Sequence, residues 1–125
     1  MALYLDILMG ITMVAAMMTI SEALQTCDSR QVCATKVYWA RKDLCVCGGG
    51  SHCPTANDQS VSPVTVRKYI FICPGQSIPP CTDLTSPAIT FSGSEGHYGL
   101  AHCYCAILDW PGLTYVDKYC AELPA

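Results

Sequence analysis

Ten cysteines, Cys27, Cys33, Cys45, Cys47, Cys53, Cys73, Cys81, Cys103, Cys105 and Cys120, fall in the last 99 residues of a 125-residue chain. In a short exported chain, roughly one cysteine in ten residues reads as a disulfide framework. The count is even, so no thiol need be left over. Large aliphatic residues are sparse after the apolar start, and so small a core is marginal without cross-links. The expected fold is small, disulfide-rich and mainly β: a single domain of short antiparallel strands held by five bridges.

Export is read from the first residues. Ile7 to Ile20 is an uncharged apolar run of 14 residues, followed by Ser21-Glu22-Ala23. A bilayer-spanning helix needs about 20 apolar residues, whereas the core of a signal peptide needs about 7 to 15. Small residues at Ser21 and Ala23 suit cleavage after Ala23. The segment lacks Lys and Arg and carries Asp6, a departure from the usual basic start. Residues 1–23 are therefore expected to be a secretory signal peptide, and residues 24–125 the mature, disulfide-stapled domain. The expected product is secreted, extracellular and monomeric, with no stable membrane insertion.

Residues 24–125 hold eight acids and seven bases, a net charge of −1. By bulk charge this is neither a nucleic-acid binder nor a cationic membrane peptide.

Thr35-Lys36-Val37-Tyr38-Trp39 and Leu44–Cys47 read as two short strands joined by a polar turn, Ala40–Asp43. Gly48-Gly49-Gly50-Ser51 breaks regular structure, and Pro54–Ser62 reads as an exposed loop. The clearest strand is Val64–Cys73, with Val64, Val66, Ile70 and Ile72 on one face. Pro87–Phe91 reads as a short strand and Ser92–Gly99 as a turn. Leu100–Leu108 and Leu113–Tyr119 are expected to form a hairpin around Asp109–Gly112. Cysteine order repeats: Cys27, Cys33, Cys45-x-Cys47, Cys53, then Cys73, Cys81, Cys103-x-Cys105, Cys120. Five is odd, so at least one bridge must join these two halves, giving one covalently tied domain.

The C-x-C pairs lie in segments read as strand, where residues i and i+2 share a face but sit too far apart for an easy bridge. Each pair is expected to reach two different partners, and sequence leaves the pairing open. A zinc site built on Cys45, Cys47, Cys53 and His52 lacks the usual ligand spacing and sits in an oxidising context. C-x-x-C redox and G-x-S-x-G nucleophile patterns are absent. No enzymatic activity, cofactor or metal is expected; His52 reads as a loop residue and His97 as simply solvated in its Gly/Ser-rich loop.

What remains is a binding surface. Basic and aromatic residues interleave at Lys36, Tyr38, Trp39, Arg41 and Lys42, at Arg67, Lys68 and Tyr69, and at Lys118-Tyr119. Lys36, Tyr38, Trp39, Arg41, Lys42, Lys68 and Tyr69 are the candidate target-binding residues, since cations beside aromatics on a rigid frame suit docking on a pore mouth or receptor. The bland reading has Tyr38 and Trp39 straddling a strand, one of them packed inward.

The segment VYWARKDLCVC, the Gly loop closed by Cys53-Pro54, the Tyr-containing strand ending at Cys73, the Pro80-Cys81 step and the second C-x-C in AHCYC together resemble centipede venom proteins of the scoloptoxin type. The resemblance implies a secreted venom component, in some members acting on ion channels, and carries over no functional residue. The expected function is a venom toxin binding an extracellular target, an ion channel or receptor of prey. The alternatives are a secreted protease inhibitor, presenting Asn57–Ser62 or Ser92–Gly99, and a non-toxic extracellular or immune protein.

Overall fold

A computed structural model describes residues 24–62, 67–93, 97–110 and 112–125. The expected signal peptide, Val64 and Val66 lie outside these residues. The organising strand is β1 (Val32–Val37), which pairs antiparallel with β2 (Ala40–Asp43) on one side and β3 (Lys68–Ile72) on the other. The segment ARKD, expected to be a turn, is thus a strand, and the turn is the two-residue Tyr38-Trp39 that precedes it. β2 is an edge strand, where charged residues discourage pairing with another chain. Its polarity hid it from any search for apolar alternation.

Both faces of this sheet are covered. Ile70 and Val32 point into a larger core with Ile89, Ala101, Leu108 and Trp110. Phe71 and Ala34 point the other way, into a smaller core built on Cys33, Cys45 and Cys47. The β1–β3 register shifts between Val32 and Ala34. One extra residue at such a bulge re-aims its neighbours, and so Cys33 and Ala34 both reach the smaller core.

Two further antiparallel ribbons complete the fold. β4 (Ile89–Ser92) pairs with β5 (Tyr98–Ala101), and β6 (Ile107–Asp109) with β7 (Tyr119–Glu122). The hairpin expected from Leu100 to Tyr119 is therefore shorter and later, because Leu100 belongs to β5 and pairs with Thr90. Pro54–Ser62 is only partly an exposed loop: Asn57–Gln59 forms a 3₁₀ turn, and Ser60, Val61 and Ser62 are buried.

All ten cysteines are bridged: Cys27–Cys45, Cys33–Cys53, Cys47–Cys73, Cys81–Cys103 and Cys105–Cys120. Each C-x-C goes to two different partners. Neither pair sits within a named strand. Instead Val46 and Tyr104, the middle residues, each make an isolated parallel bridge, to Thr26 and Pro80.

The bonding around these two bridges is the same. Cys27 N–H donates to Val46 O (2.8 Å) and Val46 N–H to Gln25 O (2.9 Å). Cys81 N–H donates to Tyr104 O (3.0 Å) and Tyr104 N–H to Pro79 O (3.0 Å). In each case the cysteine after the bridge residue joins the first cysteine of the C-x-C, and a hairpin lies between them. The second cysteine of the C-x-C joins a later cysteine, Cys73 or Cys120, that follows a segment paired to the hairpin's first strand.

The repeat is therefore Cys27–Cys73 against Cys81–Cys120, with Cys33–Cys53 as an addition to the first unit. This corrects the register read from cysteine order, which set Cys27 against Cys73. The parity argument is satisfied by Cys47–Cys73, but that bridge lies inside the first unit. No disulfide crosses from one structural unit to the other, so the covalent tie expected across the chain is absent at that boundary.

Non-covalent contacts join the units. Ala101 N–H donates to Arg30 O (2.9 Å), Cys105 N–H to Ser62 Oγ (2.8 Å), and Tyr98 Oη to Asp28 Oδ2 (2.6 Å). The larger core draws on both units. Hydrophobic burial across the boundary does what a bridge would otherwise do.

Candidate target-binding surface

The register of the three-stranded sheet decides where the candidate residues go. Arg41, Lys36 and Tyr69 are directly opposite one another across β2, β1 and β3. Residues so paired share a face, and here they form a layered array. The Lys36 ammonium lies 6.0 Å from the Tyr69 ring centre, the Arg41 guanidinium 5.0 Å from that of Phe71, and the two rings are 6.5 Å apart. Contacts of this kind hold the cations by attraction to the ring faces.

Polar contacts fix these side chains further. Lys36 Nζ donates to Asn57 Oδ1 (3.0 Å), and Arg41 donates to Pro54 O (2.7 Å) and to Asp43 Oδ1 (3.1 Å). Lys36 and Arg41 thereby hold down the segment after the Gly loop as well as lining the surface.

Lys42 and Lys68 lie on the opposite face, opposite Thr35 and Val37 of β1. Lys68 Nζ donates to Trp110 O (3.3 Å). A cleft of about 310 Å³ opens between Tyr38, Lys68, Asp109 and Trp110. The seven candidates are thus divided between two faces and a tip, and only Lys36, Arg41 and Tyr69 are brought together as an array.

Tyr38 and Trp39 occupy the tip. Neither packs inward: Tyr38 is 47% and Trp39 86% exposed, with ring centres 6.1 Å apart. Tyr38 takes a left-handed backbone, φ 58°. Two-residue hairpin turns need positive φ at their first position, which glycine usually supplies. A tyrosine there pays a steric penalty. The turn holds because the rest of the sheet, including the Tyr38 N–H to Arg67 O bond, leaves it no alternative.

One residue at this end escaped the sequence reading, and one was misplaced by it. Arg67, grouped in the sequence with Lys68 and Tyr69, is exposed beside the tip, with φ 56°. Trp110 is buried and forms a wall of the cleft. Lys118, expected in an exposed basic/aromatic patch, is wholly buried with its ammonium 4.8 Å from the Trp110 ring centre and donating to Leu113 O. Burial pushes its pKa down to about 8, with the charge of Lys68 adding to the shift. Alternation cannot flag such a residue, because its register comes from an isolated pairing with Ile89.

Cys45, Cys47 and Cys53 belong to three different disulfides, so their sulfurs are committed to bonds rather than offered as thiolates. His52 is exposed in the loop it closes. His97 is half-buried, its ring 4.6 Å from Tyr115, not simply solvated as expected. His102 Nε2 is 2.8 Å from Thr90 Oγ1. Ser60–Ser62 are buried, which shortens the stretch of Asn57–Ser62 open to a protease.

Short antiparallel strands stapled by five disulfides define a small disulfide-rich, mainly β protein. The chain belongs to the turripeptide family: it is 30% identical to turripeptide VIII-01 of Gemmula speciosa, over 98% of this chain and 97% of that one. The class expected from cysteine order thus stands, and the family found is that of a turripeptide rather than of a centipede scoloptoxin. No protein-family model matches the chain. Among solved structures, unliganded Argos is similar in fold, with a TM-score of 0.53 and 16% identity over 78% of this chain. This chain spans 55% of the Argos chain.

Proposed function

We propose that this protein is a secreted, non-catalytic toxin that binds an extracellular protein of prey, an ion channel or receptor, through the tip of the β1–β2 hairpin. The observation that carries the reading is Trp39, 86% exposed on a frame that leaves its neighbour Tyr38 in a conformation unfavourable for a tyrosine. Strained, cross-linked turns that present large aromatic surface to water suit a binding role better than a structural one. Pre-organisation by disulfides reduces the ordering cost of association. Family membership supports the venom class, and the relative's match extends over 98% of the chain, so it takes in most of the apolar leader.

The test is electrophysiology on dissociated prey neurons with oxidatively folded residues 24–125 and its Trp39→Ala variant. Wild-type protein should alter a current, and the variant should lose at least about tenfold in potency, the scale of a hot-spot residue. Both proteins should share one disulfide map and one melting temperature. Equal potency of the two would remove the hairpin tip from the function. Silence on every current, together with nanomolar protease inhibition, would replace the toxin reading with the inhibitor one.

A further inference from the structure

The net charge of −1 over residues 24–125 conceals a division. Residues 24–80 hold six bases and three acids; residues 81–125 hold one base and five acids. That one base is Lys118, sealed in the interior. Five of the first unit's six bases, Lys36, Arg41, Lys42, Arg67 and Lys68, gather at the hairpin end of the three-stranded sheet. The acids nearby are Asp43, paired with Arg41, Asp58 beside Asn57, and Asp109 across the cleft from Lys68. This end therefore keeps an excess of positive charge although the whole domain is negative.

The placement of the cations is informative. Lys36 and Arg41 flank the hairpin on one face, Lys42 and Lys68 on the other, and Tyr38-Trp39 project between them. A patch built for side-on docking needs its cations on one face. Cations on both faces around a projecting aromatic pair suit a planar anionic surface met end-on. Trp and Tyr settle at the headgroup level of a bilayer, and Lys and Arg are drawn to anionic lipid. A two-residue tip reaches the interface and goes no deeper, and no described helix is long and apolar enough to cross a membrane.

We propose that the β1–β2 hairpin end binds reversibly to the surface of anionic lipid membranes, with Trp39 among the headgroups and the exposed Lys42 and Arg67 directed to lipid phosphates. Bulk charge argues against this, because a domain of net −1 is repelled on average; only the hairpin end can approach. The lipid contact uses the same tip as the proposed recognition of a protein target, so it concentrates the protein at a surface from which the tip must be released before it meets one.

Tryptophan emission with protein-free vesicles is the test, comparing pure phosphatidylcholine with three parts phosphatidylcholine to one part phosphatidylserine. Trp110 is buried, so a blue shift on binding reports Trp39 and should vanish in Trp39→Phe. Binding is expected to the anionic vesicles, roughly fivefold weaker for each of Lys42→Gln and Arg67→Gln, and largely lost on going from about 20 to about 300 mM salt. The proposal is overturned by no binding to anionic vesicles, by equal binding to both compositions, or by charge variants that bind like wild type. Because the vesicles contain no protein, those outcomes leave the channel or receptor reading standing, and that reading fails only in the recordings on neurons.

Discussion

The main-chain N–H of Tyr38 donates to the carbonyl of Arg67 at 2.6 Å, and both residues hold the left-handed backbone, φ 58° and 56°. One bond thus joins two strained positions, one in the turn after β1 and one just before β3, closing the hairpin turn against the start of β3. Only the paired sheet makes either conformation worthwhile, since each costs about 1–3 kcal/mol in isolation. Tyr38→Val, β-branched at positive φ, should lower unfolding free energy by about 1–2 kcal/mol, and Tyr38→Gly should not lower it by more than about 0.5 kcal/mol. Denaturant midpoints of the two variants check this. Equal losses would show that the side chain, not the backbone, matters there.

Gly99 sits where β5 meets β1. A Cβ there would lie 2.7 Å from Phe91 Cε1 and 2.9 Å from Val32 Cγ2. Val32 and Phe91 come from different units, so the substitution wedges the units apart. Gly99→Ala should destabilise by about 1–3 kcal/mol, the usual cost of overpacking a core. Hydrogen exchange should show faster opening at Ala101 N–H, whose acceptor is Arg30 O across that boundary. Unchanged stability would mean that Phe91 swings aside freely.

The pairing of cysteines has a covalent consequence. No bridge spans residues 74–80. A specific protease site inserted between Gly75 and Ser77, cut and then denatured without reductant, should release two fragments separable by mass. Each should retain its own bridges, three in the first and two in the second. A single species under those conditions would refute the pairing.

Lys118 gives the protein a stability that rises in mild alkali. Its pKa is pushed down to about 8 by burial, below the ordinary value for lysine. Between about pH 8 and 10 the unfolded chain therefore holds a proton that the folded one has lost, and stability rises with pH across that window. Below about pH 8 both states are protonated and the penalty of the buried charge is fully present. Urea midpoints should climb from pH 7.5 to 9.5, and Lys118→Met should flatten the slope. Tyr98, whose pKa is raised first by its hydrogen bond to Asp28, acts in the opposite sense at higher pH and bounds the useful range. A slope unaffected by Lys118→Met would assign the effect to other groups.

Much of this molecule was legible in its letters, and the limits follow from where each signal originates. Ten cysteines and scarce aliphatics required cross-links. The reach of an extended C-x-C required Cys45 and Cys47, and likewise Cys103 and Cys105, to find separate partners, as they do. The apolar set Val64, Val66, Ile70 and Ile72 marked a strand over Val64–Cys73, and β3 occupies Lys68–Ile72 of it, because the period of two puts Ile70 and Ile72 on the face that packs against the larger core. Strand β2 gave no such signal: an edge strand has its neighbour on one side only, and ARKD keeps its polar groups in water. That omission shifted the turn by two residues and hid the tip on which Tyr38 and Trp39 stand.

Tertiary structure alone decided the bridges' partners, the seam between the two units and the segregation of charge. Disulfide partners are chosen by proximity of Cα atoms, which strand pairing sets and cysteine order does not. Thus Cys27 meets Cys45 because Thr26 and Val46 are bridged, and Cys81 meets Cys103 because Pro80 and Tyr104 are. Burial of Lys118 and exposure of Lys42 and Arg67 likewise depend on which surfaces the units press together. The sequence by itself determined that this chain is a cross-linked β framework; long-range contacts alone determined which end of that framework carries its accessible positive charge and its exposed tryptophan.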